Sequence, residues 1–365
     1  MARKAIKGVM AIGLFCTFSI MPVKMMMADQ KPLSIVASIR PVHALVAGVM
    51  GDLGTPHLLL AAPASAHHFT LKPSQARALQ NADIVFWIGP GMEQPLTKAL
   101  ATLAADAQSV ALDDSAGLVL FDFDDDGHDG HGTKGKHNDH DGHDGHGTKD
   151  KHNDHDGHDG HGTKDKHNDH DGHDGHGTKD KHNDHGGHGG HGEHGINPHI
   201  WLDPFNAQIM LGVIADHLGK ADPVNAKTYQ ANADVMRQNL VQLQIDIARQ
   251  LAPFAESEFL VLHDAHIYFE RRFGMRAHGA ITIEPDVMPT AAKIKKLRHD
   301  LKSHPMDCIF SEPFLGQKAL GLINEGIDIP IGHLDPLGNQ LPAGASLYAD
   351  LLKSYAAAFK ACLAR

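Results

Sequence analysis

The sequence lacks an excess of positive charge. Its 33 lysine and arginine residues face 44 aspartate and glutamate residues, which gives a formal net charge of −11 with histidine neutral. Because a nucleic-acid-binding protein needs a basic face to neutralise phosphates, this composition argues against that class of protein. The acidic excess is confined to residues 122–194, which hold 19 acidic and 8 basic residues. The rest of the chain therefore balances at 25 of each sign.

Long apolar runs are also scarce, and the longest one lies at the N-terminus. It covers residues 8–22, and Lys24 follows before the run reaches the roughly 20 apolar residues that a membrane-spanning helix needs. Three basic residues precede the run, as in a secretory signal. We therefore predict that residues 1–28 are a cleaved signal peptide and that the mature protein is exported without a stable membrane anchor.

Cysteine is the third scarce feature, with only 3 in the chain. Cys16 lies in the predicted signal peptide, so the exported protein would keep Cys308 and Cys362. An even number of cysteines in an oxidising compartment favours a disulfide, with two buried thiols as the alternative. A disulfide that closes the loop between Cys308 and Cys362 would stabilise the fold by roughly 4 kcal/mol in the chain-entropy model.

The acidic segment is an internal repeat that contains no residue able to build a core. The unit HDGHGTKGKHNDHDG at 128–142 recurs with near identity from positions 143, 158 and 173, a period of 15 residues. Such a segment cannot offset its own ordering entropy, so we expect a disordered insertion. It holds 19 of the 31 histidines, and imidazole suits zinc, copper and nickel. We predict metal binding here, with a solvating acidic linker as the alternative.

Outside the repeat, short apolar runs alternate with helix-like patterns in both halves of the chain. The strand-like runs are at 33–39, 57–60, 83–89, 259–262, 308–310 and 329–334, and the helix-like patterns are at 41–51, 73–81, 93–104, 266–273, 290–303, 316–324 and 344–364. This alternation predicts an α/β protein with two Rossmann-like lobes, each a parallel sheet flanked by helices. Residues 223–252 have no glycine and no internal proline, which predicts one long rigid helix joining the lobes.

These patterns divide the chain into four parts. We predict a signal peptide at 1–28, a first lobe at 29–222 that includes the insertion at 122–195, a linking helix at 223–252, and a second lobe at 253–365. The insertion thus belongs to the first lobe, and the linking helix is the connection between the two halves.

Four side chains lie where ligands bind in an open α/β sheet, beyond the carboxyl ends of strands. His67 lies in the loop after 57–60, His263 directly follows 259–262, and Asp335 directly follows 329–334. His199 opens the HIWLD stretch at the exit of the repeat. Three imidazoles with a carboxylate or a water would complete a tetrahedral zinc site. Their spacing alone does not assemble it, because no close-spaced motif such as HExxH is present.

Four ordered motifs resemble those of a known family, and the resemblance covers essentially all of residues 31–365. They are SAHHFTLKPSQARALQNADIVFWIGPGME (65–93), NPHIWLDP (197–204), FLVLHDAHIYFERRFG (259–274) and LDPLG (334–338). These stretches look like the motifs of the ZnuA family, the zinc-specific periplasmic solute-binding proteins of ABC importers. A histidine-rich insertion before the NPHIWLDP motif is also typical of that family.

The resemblance implies a metal site and a cargo. Its ligands would be His67, His199 and His263, while the aspartate that corresponds to Asp335 is a ligand in some relatives and not in others. Water is the alternative fourth ligand. Manganese-specific relatives carry glutamate where this chain has His263, so the expected cargo is Zn²⁺, with manganese or another divalent ion as the alternative. The resemblance also implies two lobes on a long rigid helix and a disulfide between Cys308 and Cys362.

The expected function is capture of Zn²⁺ in a cleft between two lobes and delivery to the membrane permease of an ABC transporter. The repeat would be an auxiliary, low-affinity zinc collector, and the protein a periplasmic monomer with no nucleic-acid partner and no enzymatic activity. Two alternatives remain open. A metalloenzyme would need a general base beside the metal, and no motif supplies one. A metal buffer would make the repeat the main functional part and the lobes its carrier.

Overall fold

The computed structural model describes residues 32–61, 65–123, 195–282, 288–313 and 316–364. The predicted signal peptide and the histidine-rich repeat at 128–194 lie outside these residues. Both ends of the insertion are described. Asp122 and Ile196 pair in an antiparallel bridge, and the Phe123 amide donates to the Gly195 carbonyl at 3.4 Å. The two described ends of the insertion are therefore adjacent.

Two parallel sheets with the same strand order organise the described residues. The first contains β1 (Ile35–Ala37), β2 (His57–Leu58), β3 (Ile84–Trp87) and β4 (Gln108–Ala111), in the order β2-β1-β3-β4. The second contains β5 (Phe259–His263), β6 (Gly279–Thr282), β7 (Cys308–Ser311) and β8 (Ile331–His333), in the order β6-β5-β7-β8. We call the parts built on these sheets the first and second lobes. The arrangement confirms the predicted α/β fold class.

Helices cover both faces of each sheet. Their bounds are α1 (Arg40–Met50), α2 (Pro73–Gln80), α3 (Gln94–Leu103), α4 (Pro204–Ala221), α5 (Ala226–Leu251), α6 (Ile267–Arg272), α7 (Ala291–Ser303), α8 (Gln317–Asn324) and α9 (Leu347–Leu363). Because the central strands are buried on both sides, they are continuous apolar runs rather than alternating ones. None of the helices in the described part of the chain has the length and apolar content to cross a bilayer.

The predicted long helix is present, but it begins at Ala226 rather than at residue 223. Residues 223–225 form a turn, in which the Asp222 carboxylate accepts hydrogen bonds from the Asn225 side chain at 2.7 Å and from the Tyr229 hydroxyl at 3.0 Å. Three elements were not predicted, namely β4, β6 and α4. The two strands are short edge strands with small or polar residues, and α4 is apolar around much of its surface, which hides the helical period.

Alternate residues of the central strands point into different cores, as the two-residue period of a strand requires. In β3, Ile84 and Phe86 join a large core between the sheets, whereas Val85 and Trp87 join a core under α2 and α3. Strand β5 divides its residues in the same way, with a third core under α7 and α8. Each sheet therefore has an outer layer of its own and an inner face that it shares.

The large inner core runs across both lobes, and α5 is one of its walls. Helix α5 packs against α1 and α4 and also against α9 of the second lobe, and α1 contacts α9 directly. Tyr229, Leu240, Ile247 and Leu251 are the bulky side chains that α5 buries there. The long helix is thus part of a continuous packed interior rather than an isolated rod, which holds the two lobes in one arrangement.

A disulfide joins the second sheet to the last helix. Cys308 in β7 and Cys362 in α9 are bonded, with Cα atoms 6.0 Å apart and 54 positions of sequence between them. Both cysteines are buried. The structure therefore has the disulfide that the sequence favoured, and it fixes α9 against the inner core.

Candidate metal centre

Three of the four predicted ligands meet in one place. His67 lies in the loop after β2, His199 immediately precedes a short 3₁₀ turn at Ile200–Leu202, and His263 is the last residue of β5. One ring nitrogen of each lies within 4.8 Å of the others. The ring centroids are 4.9 Å apart for His199 and His263, 5.2 Å for His67 and His199, and 5.7 Å for His67 and His263. No other group of three such ligands occurs among the described residues. We call these residues the histidine triad.

The triad is assembled from both lobes. His67 and His199 come from the first lobe and His263 from the second, so the inner core that fixes the lobes also fixes the triad. His199 and His263 are 1 % and 2 % exposed, while His67 is partly exposed. An ion bound here would be largely shielded from water, and His67 would lie on its more accessible side.

The segment that carries His199 is anchored by apolar residues and hydrogen bonds. Ile200, Trp201 and Leu202 are completely buried. The Trp201 ring lies 5.2 Å from the His199 ring, and its Nε1–H donates to the Pro336 carbonyl at 2.8 Å. The Trp201 carbonyl in turn accepts from the Tyr348 hydroxyl at 2.5 Å. These contacts leave the backbone beside His199 little freedom.

Asn197 determines which nitrogen of His199 is available. The Asn197 side-chain amide donates to the Asp264 carbonyl at 2.6 Å, which directs the amide oxygen towards His199. That oxygen lies 2.8 Å from His199 Nδ1 and also accepts from the His199 backbone amide at 3.1 Å. Since an amide oxygen only accepts, Nδ1 carries the proton and Nε2 keeps its lone pair. Nε2 is thereby prepared to bind a metal.

Glu312 has the same effect on His263. Its carboxylate lies 2.6 Å from His263 Nδ1, and both side chains are almost fully buried. The carboxylate accepts from Nδ1–H, so the lone pair is on Nε2, which is buried and has no hydrogen-bond partner among the described residues. A buried polar atom without a partner is costly, and a bound metal would satisfy it. Carboxylate–histidine pairs of this kind orient metal ligands in many proteins.

Burial keeps His199 neutral. Desolvation lowers its pKa well below the usual value, and the neighbouring His263, His67 and His266 lower it further because each would repel a second positive charge. The neutral imidazole is the form that binds metal. Neutral nitrogen donors suit zinc and other late transition metals, whereas magnesium, calcium and manganese favour oxygen. The donor set of the triad therefore fits Zn²⁺.

His266, three residues after His263, lies next to the triad but is not one of its members. It is 1 % exposed, its Nδ1 lies 3.1 Å from the Tyr355 hydroxyl, and its buried Nε2 has no hydrogen-bond partner in the described part of the chain. Burial, together with the nearby His263, lowers the pKa of His266 to about 3. His266 is therefore a further buried, neutral imidazole next to the triad.

Asp335, the fourth predicted ligand, is not brought into the triad. Its carboxylate accepts from the Leu337 amide at 3.3 Å, the Asn339 side chain at 3.2 Å and the Gln340 amide at 3.3 Å. It thus organises the turn after β8. Burial raises the pKa of Asp335, the hydrogen bonds oppose that rise, and the nearby Glu312 carboxylate adds to it.

Sequence reasoning missed the two residues that orient the ligands. Glu312 directly follows the buried strand β7, at the same sheet edge as His263, and that position could have identified it. Asn197 lies inside the NPHIWLDP motif, two residues before His199.

His68, which follows His67 in the sequence, is exposed, as expected for adjacent side chains that point in different directions. His43 has a structural role, with its Nε2 at 3.1 Å from the Pro56 carbonyl.

Comparison with known proteins identifies the family. A sequence model described as "Zinc-uptake complex component A periplasmic", ZnuA, matches residues 35–362. The chain belongs to the ZnuA family. Its relatives include a "High-affinity zinc uptake system protein ZnuA" from Brucella suis, 41% identical over 331 residues that cover 91% of this chain and 92% of the relative. A protein of the same name from Paracoccus denitrificans is 39% identical over 330 residues, 90% of this chain and 91% of the relative.

Solved structures of ZnuA proteins share the fold. One crystal structure of ZnuA superposes with a TM-score of 0.63 at 21% sequence identity, covering 90% of this chain and 99% of the other. At this identity the likeness supports the fold alone. The family model describes a periplasmic component of a zinc-uptake complex, so the candidate metal centre lies in the fold of a transport component.

The orienting role of Glu312 predicts a loss of metal affinity when it is removed. Glu312→Ala should weaken zinc binding at the triad by about 10- to 100-fold, because His263 loses the acceptor that fixes its tautomer and ring position. Competition with a chelating dye measures the affinity. Glu325→Ala is the matched control, since this exposed glutamate pairs with Arg298 on the surface of the same lobe. Equal affinities for the two variants would contradict the assignment.

Proposed function

We propose that this protein is the zinc-capturing component of an ABC importer. It binds Zn²⁺ between its lobes through His67, His199 and His263 and delivers the ion to a membrane permease. The observation that carries this proposal is the buried triad with its two outer acceptors, Asn197 and Glu312. The relatives' names support zinc as the cargo, because they describe high-affinity zinc uptake.

The donor set favours zinc over manganese. Three imidazole nitrogens suit a tetrahedral Zn²⁺, whereas manganese favours oxygen ligands and higher coordination. The carboxylate that could supply oxygen, Asp335, already accepts three hydrogen bonds within its own turn. We propose water as the fourth ligand, with Asp335 as the alternative. Manganese or another divalent ion is the alternative cargo.

The compartment and the partners follow from the same proposal. Residues 1–28 direct export to the periplasm and are removed, which leaves a first lobe to residue 222, a linking segment at 223–252 that contains α5, and a second lobe from 253. The mature protein acts as a monomer and meets the permease transiently. The proposal includes no catalytic role, because the family model describes an uptake component.

The histidine-rich repeat is proposed as an auxiliary collector of low affinity. Its histidines occur in pairs three residues apart, and most of these pairs have an aspartate next to one of their two histidines. Ordering a glycine-rich chain around a metal costs conformational entropy, so its sites should be weaker than the preformed triad. The repeat also returns to the fold at Ile196, three residues before His199. Zinc held by the repeat is therefore kept at a raised concentration near the triad.

The triad assignment predicts unequal effects of two neighbouring histidines. His263→Ala should abolish tight zinc binding, because a site with two remaining imidazoles is an incomplete polyhedron. His266→Ala removes an equally buried imidazole that the triad does not include, so most of the affinity should remain. Competition titration of both full-length variants measures the difference. Equal losses would show that the triad is wrongly assigned.

Deleting residues 128–194 tests whether the protein is an importer component or a metal buffer. The deletion joins two ends that already pair at Asp122 and Ile196, so the lobes should fold. Isothermal titration should lose the weak zinc-binding events of the intact protein and retain the tightest one. If the tightest event disappeared and the weak ones persisted, the repeat would be the main metal site and the protein a buffer.

A further inference from the structure

The two described ends of the insertion meet in a short backbone ladder. Asp122 and Ile196 pair in the antiparallel bridge, and the Asn197 amide donates to the Phe121 carbonyl at 2.8 Å. We call residues 121–123 and 195–197 the insertion root. Phe121 packs against the inner core, and Asn197 is completely buried, whereas the bridged pair itself is exposed. The root is therefore attached to the fold mainly through Phe121 and Asn197.

A tyrosine of the second lobe holds both segments of the root. Tyr268 lies in α6 and is completely buried. Its hydroxyl accepts from the Phe121 amide at 3.2 Å and donates to the Asn197 carbonyl at 2.7 Å. Its ring lies 5.2 Å from the Phe121 ring. A single side chain of one lobe thus fixes the place where the insertion joins the other lobe.

Burial keeps the Tyr268 hydroxyl protonated. Desolvation raises the pKa of Tyr268 to about 12, the hydrogen bond from Phe121 opposes the rise, and the Asp122 and Asp203 carboxylates add to it. A tyrosine hydroxyl can donate one proton and can also accept, and both capacities are used here. Without this hydroxyl, the buried carbonyl of Asn197 would lose its donor, and an unpaired buried backbone group is costly.

Asn197 connects the root to the metal site. Tyr268 holds its backbone carbonyl, and its side-chain amide donates to the carbonyl of Asp264, which is also in the second lobe. Its side-chain oxygen lies 2.8 Å from Nδ1 of His199. Because a hydrogen bond weakens steeply when its angle or distance changes, a shift of the Asn197 backbone would loosen the contact that keeps Nε2 of His199 available.

We infer that Tyr268 is a positioning residue of the zinc site, which acts through Asn197 on His199 and couples the insertion root to the triad. This inference rests on the proposed zinc function and gives the root a role besides connecting the repeat to the fold. The coupling works in both directions, since linkage between two sites is reciprocal. A closed root holds His199 ready for zinc, and zinc bound by His199 holds the root closed.

A double-mutant cycle on the full-length protein tests the route through Asn197. Tyr268→Phe should weaken the tightest zinc-binding event several-fold, because Asn197 loses the hydrogen bond that fixes its carbonyl. Asn197→Ala should weaken it by about 10- to 100-fold, because His199 loses its acceptor. In the Asn197→Ala protein, Tyr268→Phe should have no additional effect on zinc affinity, since the residue through which it acts is already removed. Competition with a chelating dye measures the zinc affinity of all four proteins.

Tyr229→Phe is the matched control. Tyr229 is 3 % exposed, and its hydroxyl donates to the Asp222 carboxylate at 3.0 Å, so this variant also removes a hydrogen-bonded hydroxyl from a buried ring. Both variants should lower the thermal stability, but only Tyr268→Phe should lower the zinc affinity. Equal affinities for the two variants, or additive losses from Tyr268→Phe and Asn197→Ala, would overturn the inference and leave the proposed function intact. A wild-type protein without a tight zinc site would instead contradict the proposed function.

Amide hydrogen exchange of the wild-type protein gives a readout that needs no variant. One equivalent of zinc should slow exchange at the Phe121 and Asn197 amides by a larger factor than at the Asn225 amide. The Asn225 amide donates to the Asp222 carbonyl at 3.2 Å and takes part in none of the root's contacts, so it reports only the general stabilisation that any bound ligand provides. Equal slowing at all three amides would overturn the inference.

Discussion

The metal centre depends on one constraint, which is the continuous apolar core that spans both lobes. His67 and His199 lie in one lobe and His263 in the other, so their nitrogens can meet only if the lobes are held in one arrangement. Helix α5 provides this by packing on α1 and α4 and also on α9. Because packed interiors resist deformation, the positions of the three imidazoles are set before any metal arrives.

Polar contacts between the two lobes reinforce that arrangement close to the histidine triad. The Arg40 side chain at the start of α1 donates to the carbonyls of Gly338 and Leu341, in the turn that Asp335 organises. Arg272 of α6 forms a two-pronged ion pair with the buried Asp203, with both N–O distances at 2.6 Å. Asp203 also accepts from the Phe205 amide at the start of α4. Paired hydrogen bonds between a guanidinium and a carboxylate are strong and directional, so they align the lobes as well as holding them.

Much of the fold could be predicted from the sequence, because its strongest signals are local. The continuous apolar runs of β3, β5 and β7 are typical of strands that helices cover on both faces, and the long glycine-free stretch was typical of a single helix. The edge strands β4 and β6 carry no such signal. His67 and His263 were predictable from their positions after strands together with the family motifs, and His199 from its motif alone. Glu312 and Asn197 were not, because their roles depend on the side chain that each one meets in the folded protein.

Asp335 follows β8, the position that predicted it as a ligand, and that role stays a prediction. In the structure its carboxylate accepts hydrogen bonds within the following turn, which no spacing in the sequence reveals. Three physical effects therefore prepare the site. The core positions the imidazoles, Asn197 and Glu312 select the available nitrogens of His199 and His263, and burial lowers the pKa of His199.

X-ray absorption of the protein lacking residues 128–194 and loaded with one equivalent of zinc tests this account most directly. The account predicts three imidazole nitrogens at about 2.0–2.1 Å and one further light ligand, the pattern of a four-coordinate tetrahedral site. The His263→Ala variant should lose one imidazole from the spectrum. A wild-type spectrum with fewer than three imidazoles, or one that His263→Ala leaves unchanged, would contradict the central claim that the triad holds the metal.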